Sequence, residues 1–362
     1  ELLTRCMPKF LVVGTQKGGT STLHYVLKNG WQPSISINGG EKEIHHFSLD
    51  DNYARGATAY QQRWDGEAAR LGECPQAHGT LRGEVSASYL DYPKAAERAS
   101  ALLPRAHIIM LLREPTARLV SSFNMRWQIE VCGRLTWTRR DCYVGLTSRA
   151  MVRDNAVGPF QKASALKVWS KCNVHEAGLE ADCLRGDFVA KLRNRTEQEI
   201  AEIEACKRAT PDEPLSRCLG LPILGQRKLY KKMEDAAYVY RSLYAEHVSN
   251  WLQFYPPSQV LVLPSEALFD PRSMRMAMQT LNRFFELRDE TANEKLLLSA
   301  SPASTDAAPH ENGRVYVAEA PLDLATRLRQ WFCPHNHRLG ELLLEHQLLS
   351  LPEQFHWLPN SC

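Results

Sequence analysis

The chain has 362 residues, 44% of them hydrophobic, enough for one large α/β domain or two smaller ones. Charged residues make up 23% and the formal net charge is only +3, which argues against a nucleic-acid partner, whose binders gather basic residues in a stripe. No run of 18 apolar residues is present, so nothing reads as a membrane span. No signal peptide is visible at Glu1, and any membrane attachment is expected through an N-terminal anchor absent from this chain.

In chain order, Phe10 to Val13 is a short apolar run ending at Gly14 and reads as a buried strand. Thr20 to Lys28 is helical in pattern, with Leu23, Val26 and Leu27 on one face. Ile108 to Leu112 is a second buried strand, followed by a helical stretch from Thr116 to Met125. Val260 to Leu263 is a third strand, between helical segments at Ala236 to Phe254 and Arg272 to Phe285, and Ala325 to Leu344 is a last helix. Apolar strands alternating with helices predict an α/β domain with a parallel sheet covered on both faces.

Residues 126–230 break this rhythm. They are polar and cysteine-rich, and read as an insertion within a single domain spanning 1–362. Six of the ten cysteines fall there in close pairs: Cys132 with Cys142, Cys172 with Cys183, and Cys206 with Cys218. No CxxC or zinc-finger spacing occurs, so disulfides are expected rather than a metal site, foremost Cys206 to Cys218. With the sequon Asn194-Arg195-Thr196, this favours an oxidising, lumenal or secreted setting for a glycoprotein.

Gly14-Thr15-Gln16-Lys17-Gly18-Gly19-Thr20-Ser21-Thr22 joins the first strand to the first helix. Backbone amides and a helix dipole converge on an anion at such a junction. Gly18 and Gly19 allow close approach, and Thr20, Ser21 and Thr22 add hydroxyls. A nucleoside-triphosphatase loop would need lysine where Thr20 stands and a magnesium-binding aspartate after a second strand. Here the lysine is Lys17, in the bend, and the second strand ends in Arg113. Arg113 and Ser121, in the segment Arg113-Glu114-Pro115-Thr116-Ala117-Arg118-Leu119-Val120-Ser121, suit a second phosphate at the carboxyl edge of the sheet. Arg118 reads as structural.

Together the two motifs resemble those of sulfotransferases that use 3′-phosphoadenosine 5′-phosphosulfate: a 5′-phosphosulfate loop and a 3′-phosphate motif. The resemblance covers most of the chain outside 126–230. Lys42-Glu43-Ile44-His45-His46-Phe47 is similar to the segment holding the catalytic glutamate in Golgi glycosaminoglycan sulfotransferases. Gly83-Glu84-Val85-Ser86-Ala87-Ser88 and Ser301-Pro302-Ala303-Ser304 are most similar to the group that sulfates position 6 of N-acetylgalactosamine 4-sulfate in chondroitin chains. Heparan-type members carry a lysine where Val85 stands.

The resemblance implies a P-loop-type three-layer sandwich, with the central sheet between helices, in the Golgi lumen or secreted. It implies an anionic polysaccharide acceptor. It makes Glu43 the base, with His45 as rival base or orienting partner, and has Lys17 neutralise charge on the leaving phosphate without a metal. Ile44 and Phe47 are expected to desolvate Glu43. Lys17, Gly18, Gly19, Thr20, Ser21, Thr22, Arg113 and Ser121 are assigned to the donor, and Arg314 to a late loop over the 3′-phosphate. Arg126, Trp127, Arg134, Trp137, Arg139 and Arg140 mix cations with rings, which suits an anionic sugar chain or an ordinary solvated segment. A P-loop kinase, a lectin-like glycan-binding module and a sulfotransferase for small alcohols or phenols are the competing readings.

Overall fold

The computed structural model describes residues 7–30, 35–37, 42–62, 81–132, 180–220, 237–287 and 318–359. Five strands form one sheet: β1 (Phe10–Gly14), β2 (Ile35–Ile37), β3 (Leu81–Val85), β4 (His107–Leu112) and β5 (Val260–Pro264). The spatial order is β2-β3-β1-β4-β5 and every pairing is parallel. All five carboxyl ends therefore lie along one edge, with β1 at the centre.

The strand side chains divide by period two. Leu11, Val13, Ile108 and Met110 face one core, with Ala99 of α2 (Ala95–Leu102), Trp251 of α5 (Tyr244–Leu252) and Leu339 of α7 (Leu322–Glu345). Phe10, Val12, Ile109 and Leu111 face the other, with Leu23 of α1 (Thr20–Gly30) and Leu281 of α6 (Pro271–Phe284). Helices thus cover both faces, making the expected three-layer α/β sandwich.

Two strands escape the sequence pattern for physical reasons. β2 is only three residues long, and β3 carries Arg82, Gly83 and Glu84 in place of an apolar run, with both charged side chains buried. Within 126–230, residues 180–209 form a 30-residue helix, α4 (Glu180–Ala209). Phe188, Leu192 and Ile203 of α4 share a third core with Leu119, Phe123 and Trp127 of α3 (Pro115–Cys132) and with Phe332 of α7. The Cys206–Cys218 disulfide closes the end of this element, with Cα atoms 5.8 Å apart. Cys183 and Cys333 are also disulfide-bonded, whereas Cys142 and Cys172 lie outside the described residues. The sequon sits inside α4: Asn194 is exposed, but the Thr196 hydroxyl is buried and donates to the carbonyls of Leu192 and Arg193.

The single helix expected over Ala236 to Phe254 is divided. A 3-10 turn, Tyr240–Ser242, precedes α5, and Leu243 between them leaves helical geometry at φ −82°, ψ 67°. The turn is capped from another element. The Glu199 carboxylate of α4 accepts from the backbone amides of Tyr238, Val239 and Tyr240, each at 2.9 Å. It is fully buried, and burial pushes its carboxyl above the usual range. Glu199→Ala is expected to destabilise the fold by about 1–3 kcal/mol for each of these buried amides left without an acceptor. Urea unfolding of the variant checks this, and an unchanged midpoint would refute the capping role.

Candidate active site

The phosphate loop is held by one of its amides and by its carbonyl groups. The amide of Thr15 donates to Leu111 at 2.8 Å, tying the loop to β4, and the amide of Gly18 donates to Thr15 at 3.0 Å. Arg113 Nη1 donates to the Lys17 carbonyl at 3.0 Å and Ser265 Oγ to the Gly18 carbonyl at 2.7 Å. A side chain at Gly18 would place Cβ 2.7 Å from Thr15 Cγ2 and 2.9 Å from the Leu111 carbonyl, and Gly19 has φ +83°. Only glycine meets both demands. Thr20, Ser21 and Thr22 then form the first turn of α1, whose amides have no intrahelical acceptor. Amides without an acceptor among the described residues, a lysine in the bend and no room for a side chain at Gly18 fit a bound phosphate group.

The two sequence motifs meet through Arg113. Glu114 next to it caps α3, accepting from the amides of Thr116 at 3.1 Å and Ala117 at 2.6 Å, and its own amide donates to Glu266 at 3.0 Å. Arg113 is thereby fixed at the strand end, with its carbonyl accepting from the Tyr244 hydroxyl at 2.9 Å. Ser121 is buried within α3. Arg118 is fully buried, donating through Nε to Ser242 at 2.6 Å and also to the Tyr238 carbonyl. Arg314, Arg134, Trp137, Arg139 and Arg140 lie outside the described residues. Trp127 is fully buried in the third core, so it offers no face to a sugar ring.

Glu43 sits one strand over from the loop. Its amide donates to the carbonyl of Val85, the last residue of β3, at 2.9 Å. Its carboxylate accepts from Lys42 Nζ at 2.7 Å and from the Ala87 amide at 3.0 Å. The Glu43 side chain is 30% exposed, so it is partly withdrawn from water, while Ile44 and Phe47 themselves are spent on the core. His45 Nε2 lies 3.9 Å from Glu43 Oε2, while Nδ1 contacts Ser88 Oγ at 2.9 Å and Ser48 Oγ at 3.3 Å. Both Glu43 (φ 65°) and His45 (φ 56°) adopt left-handed backbone, a conformation that side chains other than glycine occupy at a cost.

Three groups around the site were not singled out from sequence. Arg241, from the 3-10 turn, pairs with buried Asp91 at 3.0 Å and donates to Gln16 Oε1 in the phosphate loop at 2.9 Å. Arg241 lay in an aromatic stretch that looked merely helical. Glu84 is fully buried beneath the Glu43 loop, and burial raises its carboxyl above the usual range. Its sequence signal was only its place in the Gly83–Ser88 segment, which was read for the acceptor. His24 of α1 is buried, with no partner for Nε2 among the described residues, and feels the charges of Lys42, Lys28 and Glu43.

The family model described as "Sulfotransferase domain" matches residues 7–301, so the chain belongs to the sulfotransferase family. It is 32% identical over 128 residues to the bifunctional heparan sulfate N-deacetylase/N-sulfotransferase 1 of Caenorhabditis briggsae, covering 34% of this chain and 13% of that protein. It is 32% identical over 124 residues to the membrane-associated sulfotransferase kil1 of Dictyostelium discoideum, covering 34% and 24%. Over 122 residues it is 28% identical to the heparan sulfate glucosamine 3-O-sulfotransferase 5 of Mus musculus, covering 34% and 32%. The matched region thus spans a third or less of each of these relatives. A solved sulfotransferase from Alicyclobacillus acidocaldarius aligns with a TM-score of 0.47 at 20% identity, over 97% of this chain and 99% of that one.

Burial, followed by the nearby lysines, lowers the His24 pKa from 6.5 to about 4. The unfolded chain then binds the extra proton first, so this histidine's contribution to stability is complete above about 6.5 and falls as pH drops toward 4. Replacing it, as in His24→Gln, should flatten the stability profile across that window. Denaturant melts at several pH values test this, and a variant with the same slope as the parent would refute it.

Proposed function

We propose that this protein transfers a sulfuryl group from 3′-phosphoadenosine 5′-phosphosulfate to a carbohydrate hydroxyl. The observation that carries the reading is the Arg113 bond to the Lys17 carbonyl, which joins two anion-binding motifs at one sheet edge, one strand from a half-exposed carboxylate. Thr20, with no lysine in that place, and Arg113, with no aspartate, weigh against a kinase. A lectin-like module has no use for a cation in the bend of a phosphate loop.

When bound, the donor supplies a sulfuryl group already activated by its link to phosphate. Lys17, Gly18, Gly19 and the first-turn residues Thr20, Ser21 and Thr22 hold its 5′ end, and Arg113 with Ser121 its 3′-phosphate. Lys17 stabilises negative charge on the leaving oxygen, which matters most in the transition state. Glu43 takes the proton of the acceptor hydroxyl. His45, held through Nδ1 by Ser88 and Ser48, presents Nε2 toward Glu43 and orients the acceptor.

The acceptor we propose is a chondroitin- or dermatan-type chain, at position 6 of N-acetylgalactosamine 4-sulfate. The Gly83–Ser88 segment and valine at position 85 support it. A heparan-type acceptor is the second reading, favoured by the names of the relatives that match. Disulfides at Cys206, Cys218, Cys183 and Cys333 support a lumenal or secreted setting. No described helix is long and apolar enough to cross a membrane. A screen with labelled donor across chondroitin, dermatan, heparan and simple phenols separates the acceptors, and labelling of phenols alone would remove the carbohydrate assignment.

Glu43→Gln should slow transfer by a factor of about 10²–10⁴, the usual cost of losing a general base, while 3′-phosphoadenosine 5′-phosphate binds with near-normal affinity. His45→Ala carrying the large defect, with Glu43→Gln nearly normal, would transfer the role of base to His45. Lys17→Ala should also lower turnover by orders of magnitude, and normal turnover would sink the donor-loop assignment. Arg113→Ala should chiefly weaken that ligand, by about 1.5–3 kcal/mol for a hydrogen bond to a charged group, and calorimetry showing unchanged affinity would make this motif structural.

A further inference from the structure

The segment carrying Glu43 and His45 has left-handed backbone at both residues, so something outside it must hold that shape. Its ends are tied down conventionally. Arg98 pairs with Asp50 and donates to the Phe47 carbonyl at 3.1 Å, and Asn52 Nδ2 donates to the carbonyls of Ile44 and His45, each at 3.2 Å. The amides in the middle are held differently. The His46 amide donates to the Tyr89 hydroxyl at 2.8 Å, and the His45 amide reaches Ser86 Oγ at 3.4 Å. Both hydroxyls turn their own protons to one atom: Tyr89 and Ser86 each donate to Glu84 Oε1, at 2.7 Å. The other oxygen, Oε2, takes the Tyr60 hydroxyl.

A hydroxyl that donates to a fixed acceptor must present its lone pairs elsewhere. Glu84 Oε1 therefore sets the direction in which Tyr89 and Ser86 accept, and the backbone amides of His46 and His45 sit where those lone pairs point. Glu84 is fully buried, so no water competes for the carboxyl. On the reading that Glu43 and His45 perform the chemistry, we infer that Glu84 is a positioning residue. Through Tyr89 and Ser86 it holds the strained backbone that aims Glu43 and His45 at the acceptor hydroxyl. Tyr60 satisfies the second oxygen without bonding a loop amide, and its ring stacks on His46 with centroids 4.3 Å apart.

The role needs an oxygen at the Oε1 position and does not need the charge. This predicts a pattern that general packing would not produce. Glu84→Ala, Tyr89→Phe and Ser86→Ala should each lower kcat by about tenfold to a hundredfold, the scale of a small misplacement of reacting groups, with KM for the donor and affinity for 3′-phosphoadenosine 5′-phosphate unchanged. Glu84→Gln keeps one oxygen for Tyr89 and Ser86 and turns its amide toward Tyr60, so it should restore turnover to within about threefold of the parent. Tyr60→Phe keeps the stacked ring and should also leave turnover near normal. In protein labelled with ¹⁵N-histidine, exchange of the His46 amide should quicken in Tyr89→Phe, that of the His45 amide in Ser86→Ala, and both in Glu84→Ala. Should Glu84→Ala not fold, the Tyr89 and Ser86 variants carry the test. Unchanged exchange in those two, or a loss of kcat in Tyr60→Phe equal to theirs, overturns the inference. Glu43→Gln assayed alongside keeps the two questions apart: normal turnover there condemns the assignment of the base, while amide exchange still judges the anchor.

Discussion

A parallel sheet puts the carboxyl ends of all its strands on one edge, and backbone leaving that edge has no ladder to satisfy it. The bond from Arg113 to the Lys17 carbonyl answers this constraint at the point where β1 and β4 lie side by side. It occupies a loop carbonyl and brings a guanidinium to the loop. Ser265 bonded to the Gly18 carbonyl acts in the same sense, and the Thr15 amide, donating to the Leu111 carbonyl, ties the loop to β4. With the Lys17 and Gly18 carbonyls engaged by Arg113 and by Ser265 after β5, the amides at the start of α1 are donors without a partner among the described residues. The proposed anion binding would follow from where the carbonyls go, with the positive residues completing it.

What was legible in the sequence follows the same logic. β1, β4 and β5 are fully apolar runs buried on both faces, and such runs stand out. The loop after β1 was legible because glycines, a lysine and hydroxyl residues do a job that leaves few other choices. β3 was not legible as a strand. Its Arg82 and Glu84 have the composition of a surface turn, and only the surroundings, hydroxyls from three other residues for Glu84, make burial possible. The split before α5 was invisible because its cause, Glu199, lies about 40 residues earlier on a helix that periodicity did not reveal.

Placement at a strand end was legible, and what depends on packing was misjudged. Lys17 and Arg113 were each read from the end of an apolar strand, and the structure joins them through the Lys17 carbonyl. Glu43 was expected to owe its properties to Ile44 and Phe47. The side chains of those two point into the core instead, and the carboxylate is governed by Lys42 and the Ala87 amide. Trp127 had the right chemistry for stacking on a sugar, but helix periodicity puts it on the face of α3 that meets Phe188.

Glu84 and Glu199 show one device used twice. Each is a fully buried carboxyl, each is shifted upward by burial, and each takes three donors. A carboxylate only accepts, so it is tolerated in a core only where donors are in surplus. Paired strands, and helices beyond their first turn, consume their own amides and produce no surplus. Irregular backbone does produce one, and here it sits above the carboxyl edge: the turn at 238–242 and the left-handed segment at 43–46. A site built on that edge needs irregular backbone to aim side chains that strands and helices would point elsewhere. The buried acids beneath it are then a consequence of that need, one bonded to the amides directly and the other through two hydroxyls. The direct version gives a rigid cap to the turn that carries Arg241. The relayed version reaches amides that lie beyond the acid's own span, and sets their direction through the single proton each hydroxyl has to give.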